Sequence, residues 1–126
     1  MRRRISFVLL LCLPACGCGK TKSTDELLAN LKSPQAKDRI IAVRLLQQRK
    51  GDAAKVVPAL VEALKDNEGD IRLSAAIGLG YFGEQAKDAI RALQQAAQHD
   101  RDVRVRKQAT VALSRIDPAR FPGSPK

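Results

Sequence analysis

The sequence predicts an all-α chain, a short right-handed α-solenoid of about two and a half helical hairpins, on three observations. Arg39, Arg72 and Arg106 stand 33 and 34 residues apart. The same residue types return behind each arginine: alanine at Ala42, Ala75 and Ala109, and leucine at Leu46, Leu79 and Leu113. Aromatic residues are only 3% of the 126 while alanine, leucine and valine are plentiful, which suits close helix packing better than a sheet core. A fixed period of this length marks stacked helical repeats.

Each element follows from local signals. Helices are expected over 24–32, 34–49, 53–65, 67–82, 85–98 and 101–116. Ser33, Asp66 and Asp100 precede the three arginine-bearing helices at equivalent positions, and each can accept a hydrogen bond from first-turn amides. Pro34 takes the first helical position, where a missing amide hydrogen costs little. Gly51 and Gly83 are expected to close the first two of these helices. Between the arginine-bearing helices, Val57-Pro58-Ala59-Leu60 lies over Ile90-Arg91-Ala92-Leu93 in the next unit.

The core pattern is sharpest in the later units. Ile71, Ala75, Gly78, Leu79 and Phe82 have helical spacing, and Val105, Ala109, Ala112, Leu113 and Ile116 repeat it 34 residues on, so each set forms one apolar stripe. The first unit departs from this pattern, with Asp38 and Arg49 at its ends, and burial there is expected to be shared by Ile40, Ile41 and Val43. Gly78 and Gly80 inside a helix each cost about 1 kcal/mol against alanine, which points to close approach of a neighbouring helix.

The strings R-x-x-A-A-x-G-L-G-x-F-G from Arg72 and V-P-A-L-V-E-A-L from Val57 resemble the short HEAT repeats also found in phycobilin-lyase-like proteins. The resemblance covers roughly residues 24 to 117. It implies that Arg39, Arg72 and Arg106 pair with acidic residues of an adjacent turn, with Asp66, Asp70, Asp100 and Asp102 as candidates. The other reading is that these arginines are exposed and bind something. The resemblance also implies that the second helix of each hairpin lines a concave side. Its outward row is Lys55, Pro58, Glu62 and Lys65, then Asp88, Arg91, Gln95 and Gln98 at identical offsets, with Lys22, Asp25, Ala29 and Lys32 continuing it. Lys55, Glu62, Lys65, Asp88, Arg91, Gln95 and Gln98 are therefore the candidate residues for binding another protein. A merely solvated polar face is the competing reading, since the row mixes signs and lacks an aromatic or methionine anchor.

The N-terminus reads as an address. Arg2, Arg3 and Arg4 precede an apolar run of 11 residues from Ile5 to Ala15, with a small residue just before Cys16. These are the parts of a secretory signal peptide. As a helix the run rises about 16 Å, too short to cross a bilayer. Leu13-Pro14-Ala15-Cys16 looks like a bacterial lipobox, in which Cys16 is acylated and becomes the first mature residue, although Pro14 departs from the usual residue there. Cleavage before Cys18 and an ordinary signal peptide with incidental cysteines are the alternatives. The expected division is a signal peptide at 1–15, a lipidated tether at 16–23, the repeat domain at 24–117 and a Pro-rich tail at 118–126. The expected place is the bacterial cell envelope, on the periplasmic or extracytoplasmic side and held to a membrane by lipid.

Chemistry is poorly represented. All three cysteines, Cys12, Cys16 and Cys18, precede the repeats, so the domain has neither a disulfide framework nor a cysteine metal site. His99 is the only histidine and has no partner at ligand spacing. Serine and threonine lack a base. No catalytic residue, metal or cofactor is expected. The net charge is +10, and removal of Arg2 to Arg4 leaves 20 basic against 13 acidic residues, or +7. The basic residues are interleaved with acids and stacking aromatics are scarce, so nucleic acid is not the expected partner. The alternative to protein binding is electrostatic attachment to anionic lipid or cell-wall polymer through Lys20, Lys22, Lys32, Arg101, Arg104, Arg106 and Lys107. At the C-terminal end, Phe121 is expected to fold back over the last apolar stripe, and a homodimer through that open end is the competing expectation.

Overall fold

The computed structural model describes residues 21–123. Six α-helices lie among them: α1 (Thr24–Asn30), α2 (Ala36–Leu46), α3 (Ala53–Ala63), α4 (Gly69–Phe82), α5 (Ile90–His99) and α6 (Val103–Ile116), with 3-10 turns at Lys50–Asp52 and Gly83–Ala89 and no strand. The proposed signal segment, Cys12, Cys16, Cys18 and Lys20 lie outside the described residues. No described helix is long and apolar enough to cross a membrane.

The helices form two layers, as the repeat predicts. α2, α4 and α6 pack in sequence on one another, while α1, α3 and α5 lie behind them, α1 on α2, α3 on α4 and α5 on α6. α3 reaches the next second-layer unit mainly through the Gly83–Ala89 turn. Every residue of the two predicted stripes on α4 and α6 is buried. Leu27, Leu60 and Leu93, at one position of successive second-layer helices, are fully buried between the layers. Each contributes about 2–3 kcal/mol of apolar burial.

Gly78 and Gly80 do what their helical position implied. A Cβ on Gly78 would lie 2.7 Å from Gln47 Cγ and 3.1 Å from Leu60 Cδ1, and one on Gly80 would lie 3.3 Å from Ala112 Cα. The first-layer helices meet through these gaps. Phe121 is partly buried and packs against the core, its N–H donating to Asp117 O at 2.9 Å, so the tail does fold back.

Several boundaries differ from the sequence reading. Ser33, Asp66 and Asp100 do not cap the helices; the N-caps are Gln35, Glu68 and Asp102. Instead each accepts from the amide two residues on, at 3.2, 2.9 and 2.8 Å, closing a turn that precedes the helix. Turns and caps draw on the same short polar side chains, so the residue type alone does not separate them. Pro34 accordingly stands in that turn and not inside α2. Gly83 ends α4 with φ 55, but Gly51 has no positive φ and lies within the 3-10 turn that carries the chain from Arg49 into α3. The expected helix 85–98 starts only at Ile90, because Ala86 (φ −99, ψ 22) breaks the segment and the 3-10 turn seats Ala86 and Ala89 in the core. Finally Ile41, expected to be buried, is 49% exposed, while Ala42, Val43 and Leu46 carry the burial on α2. Ile41 occupies the position of Ser74, which faces the preceding first-layer helix, and α2 has no such neighbour among the described residues.

Candidate functional site

The repeat arginines face inward. Arg72 donates from Nε to Asp100 Oδ2 at 2.9 Å and from Nη2 to Oδ1 at 3.1 Å, a two-pronged pair whose side chains are each 7% exposed. Its Nη1 donates to the carbonyls of Asp66 and Asn67 at 2.8 and 3.0 Å. One guanidinium thus ties the turn before its own helix to the turn of the next repeat. Arg39 does the same with Asp66 at 2.8 and 3.1 Å and with the carbonyls of Ser33 and Pro34. Asp70 and Asp102, the other candidate partners, bind Arg104 on the surface at 3.0 and 2.8 Å. Arg106 reaches only Asp100 O, at 2.7 Å. With their donors consumed, Arg39 and Arg72 stitch repeats together and are not offered to a ligand.

This geometry sets an acid limit on stability. Burial alone would raise the Asp100 carboxyl, but the hydrogen bonds from Arg72 and from the Asp102 amide outweigh it and hold it below the ordinary value. Asp66 is held down in the same way by Arg39 and the Glu68 amide, against burial. A depressed folded-state pKa contributes stability that is complete above the unfolded carboxylate value, about 4, and is lost as pH falls through the folded value. Urea midpoints are therefore expected to be level from pH 7 to 5 and to fall below pH 4. Asp100→Asn is expected to be less stable at pH 7 and to show a shallower acid slope.

The second-layer face carries the outward row. Lys55, Glu62, Lys65, Asp88, Arg91, Gln95 and Gln98 are all exposed, on or beside α3 and α5. Three grooves run along the second-layer face, between α1 and α3, between α3 and α5, and between α3 and the Gly83–Ala89 turn. The first, about 430 Å³, has Leu28, Leu31, Ala59, Ala63 and Ile71 in its floor and Lys32, Lys55, Glu62 and Asp66 at its rim. The second, about 280 Å³, is floored by Val61, Leu64, Ala92 and Ala96 between Lys65, Gln95, His99 and Asp100. The third, about 310 Å³, joins Ala53, Val57, Pro58 and Val61 to Glu62, Gln85 and Asp88. Five of the nominated residues edge these grooves, whereas Arg91 and Gln98 stand outside them. The row residues also pair among themselves: Lys55 with Asp25 and Lys65 with Glu62, both at 3.1 Å. Such exposed pairs hold little energy and yield easily to a competing ligand.

The apolar floors were missed by reading the outward row alone. Val61, Ala92, Leu28 and Leu31 are half-buried residues flanking that row, and they become groove floor only when the next helix stands beside them. His99 lies at the end of the second groove, and no group of three His, Cys, Asp or Glu side chains converges to hold a metal among the described residues. Tyr81 is 51% exposed on the other layer, with the Arg115 guanidinium 5.7 Å from its ring centre. Residues 24–120 match the family described as HEAT repeats. No curated protein is similar enough to match the chain.

Proposed function

The chain belongs to the HEAT-repeat family, and from that premise we propose that it is a non-catalytic adaptor that holds another protein on its second-layer face. HEAT repeats commonly serve as scaffolds for protein interaction. The observation that carries the reading here is the run of three adjoining grooves with apolar floors and charged rims. That combination suits an amphipathic segment, whose apolar side fills the floor while its polar edges meet Lys55, Glu62, Lys65, Asp88 and Gln95. Its units are of the short kind found in phycobilin-lyase-like proteins, on the strings from Val57 and Arg72.

The adaptor works in the bacterial cell envelope. Residues 1–15 direct export, Cys16 carries the lipid, residues 16–23 form the tether, and the repeats face the periplasmic or extracytoplasmic space. Stable attachment requires two or more acyl chains, which a lipidated first residue supplies. The tether leads directly into Ser23, whose side chain opens α1 through a reciprocal pair with Glu26.

The test is a cross-linked pull-down of the full chain from its native host at 0.1 M and 1 M salt. A protein partner seated on apolar floors is expected to remain bound at high salt and to be lost when Glu62→Arg and Gln95→Arg are combined. Attachment through diffuse positive charge to anionic lipid or wall polymer instead collapses at 1 M, where the Debye length falls from about 10 Å to about 3 Å. That second outcome would replace the adaptor reading. In parallel, Cys16→Ala is expected to leave the membrane fraction, and its retention there would end the lipid-anchor assignment.

A further inference from the structure

The two ends of the array among the described residues are complementary half-repeats. Among the described residues α1 is a second-layer helix with no first-layer helix before it, and α6 is a first-layer helix with no second-layer helix after it. Each end leaves apolar side chains in water: Ile41 (49% exposed) and Leu45 (39%) on α2, and Val111 (41%) on α6. Terminal units of a solenoid ordinarily turn a polar face outward. The inner counterparts of Ile41 and Leu45 are Ser74 and Gly78 on α4, both buried, and Gly78 meets Gln47 of the preceding helix. The exposed pair on α2 therefore occupies positions that elsewhere in this chain receive a neighbour.

Two series run along the chain and stop one step short. The first is steric. Gln47 projects into the gap at Gly78, and Gly80 leaves room for Ala112. The next residue of the series on α6 is Ser114, which is small, and the position that would meet it corresponds to Leu45, which is large and exposed. The second series is electrostatic. Arg39 takes Asp66 and Arg72 takes Asp100, but Arg106 has one carbonyl and no salt bridge among the described residues. The residue equivalent to Asp66 and Asp100 at the other end is Ser33. Its hydroxyl donates to Asp38 Oδ2 at 2.8 Å, which brings an exposed carboxylate beside that position.

We propose that the chain stacks head to tail on a second copy of itself. In that contact α1 and α2 of one copy seat on α6 of the other, Leu45 fills the space beside Ser114, Ile41 covers Val111, and Arg106 takes the Ser33–Asp38 pair as its missing rung. A two-fold dimer through α6 would instead set Arg104, Arg106 and Lys107 against their own copies, and like charges at an interface are costly. A head-to-tail contact uses two different surfaces, so it can extend beyond two copies. It uses the ends of the array and leaves the grooves free, so it stands apart from the adaptor reading.

Sedimentation velocity of the full chain in a mild detergent tests this. The mean mass of the wild type is expected to rise with concentration through dimer to larger species. Ile41→Asp and Val111→Asp each spoil one end, so each alone is expected to stay monomeric with the thermal midpoint of the dilute, unassociated wild type, which also controls for association through the N-terminal segment. Mixed in equal amounts, the two retain one good end each and are expected to give a dimer and nothing larger. Arg106→Glu is expected to weaken assembly at least tenfold, and Asp38→Arg in the same chain to restore it. A wild type that is monomeric at every concentration, a mixture that stays monomeric, or an Ile41→Asp chain that still dimerises would each overturn the proposal.

Discussion

Asp100→Ala is expected to destabilise the fold by about 3–5 kcal/mol, because it strands the Arg72 guanidinium, buried at 6% exposure, without a carboxylate. In a domain of this size the thermal midpoint should fall on the order of 20 °C. Two contributions are removed together: the two-pronged pair that bridges the second and third repeats, and the turn closed by the Asp102 amide. Asp66→Ala is expected to cost less, since Arg39 and Asp66 are 15% and 13% exposed and water can take over part of the solvation. Arg106→Ala, which removes a single hydrogen bond to Asp100 O, is expected to cost about 1 kcal/mol. That graded order, read by chemical denaturation, separates a ladder between repeats from three unrelated surface arginines. Combining Arg72→Met with Asp100→Ala should lose less than the two single changes added together, because the stranded charge is gone.

Gly80→Leu is expected to cost about 2–3 kcal/mol. A Cβ at this position already lies 3.3 Å from Ala112 Cα, which is backbone and cannot swing aside, so the remaining three carbons must push α4 and α6 apart. Gly78 offers the contrast. Its Cβ would meet the flexible Gln47 side chain first, and that side chain can turn away at the loss of its bond to Ser74 O at 2.8 Å. Gly78→Ala is accordingly expected to be far milder, with part of its strain offset by about 1 kcal/mol of improved helix propensity. Equal destabilisation by Gly78→Ala and Gly80→Leu in urea titrations would mean that the first-layer helices do not meet as described.

Much of the architecture is legible in the chain because it is carried by period. The recurrence of arginine, alanine and leucine located three first-layer helices, and helical spacing identified Ile71 to Phe82 and Val105 to Ile116 as core. Gly78 and Gly80 were legible because a glycine within a helix is explained by a neighbour. What periodicity does not carry is which face has a neighbour. Ile41 is apolar where the later units carry Ser74 and Gln108, yet it lies in water, since nothing described packs before α2. Helix starts were misread at Ser33, Asp66 and Asp100 because a turn-closing side chain and a capping side chain are chemically alike. The resemblance to HEAT repeats narrowed the arginine partners to four acids; choosing Asp66 and Asp100 over Asp70 and Asp102 required the reach of a guanidinium across the repeat. Groove floors were invisible for the same reason, being made by side chains of two helices whose separation only the fold supplies.

The adaptor reading rests on the second-layer face, and site-directed photo-cross-linking in the living host addresses it directly. Benzoylphenylalanine is placed in the full chain at Glu62, at Gln95, or at the exposed Tyr81 on the opposite layer. Adducts of one common mass are expected at Glu62 and Gln95, containing a single other protein, with none of that mass at Tyr81. Adducts at Tyr81 alone, or none at either groove position while the chain remains folded and at its normal abundance, would contradict a partner held between α3 and α5.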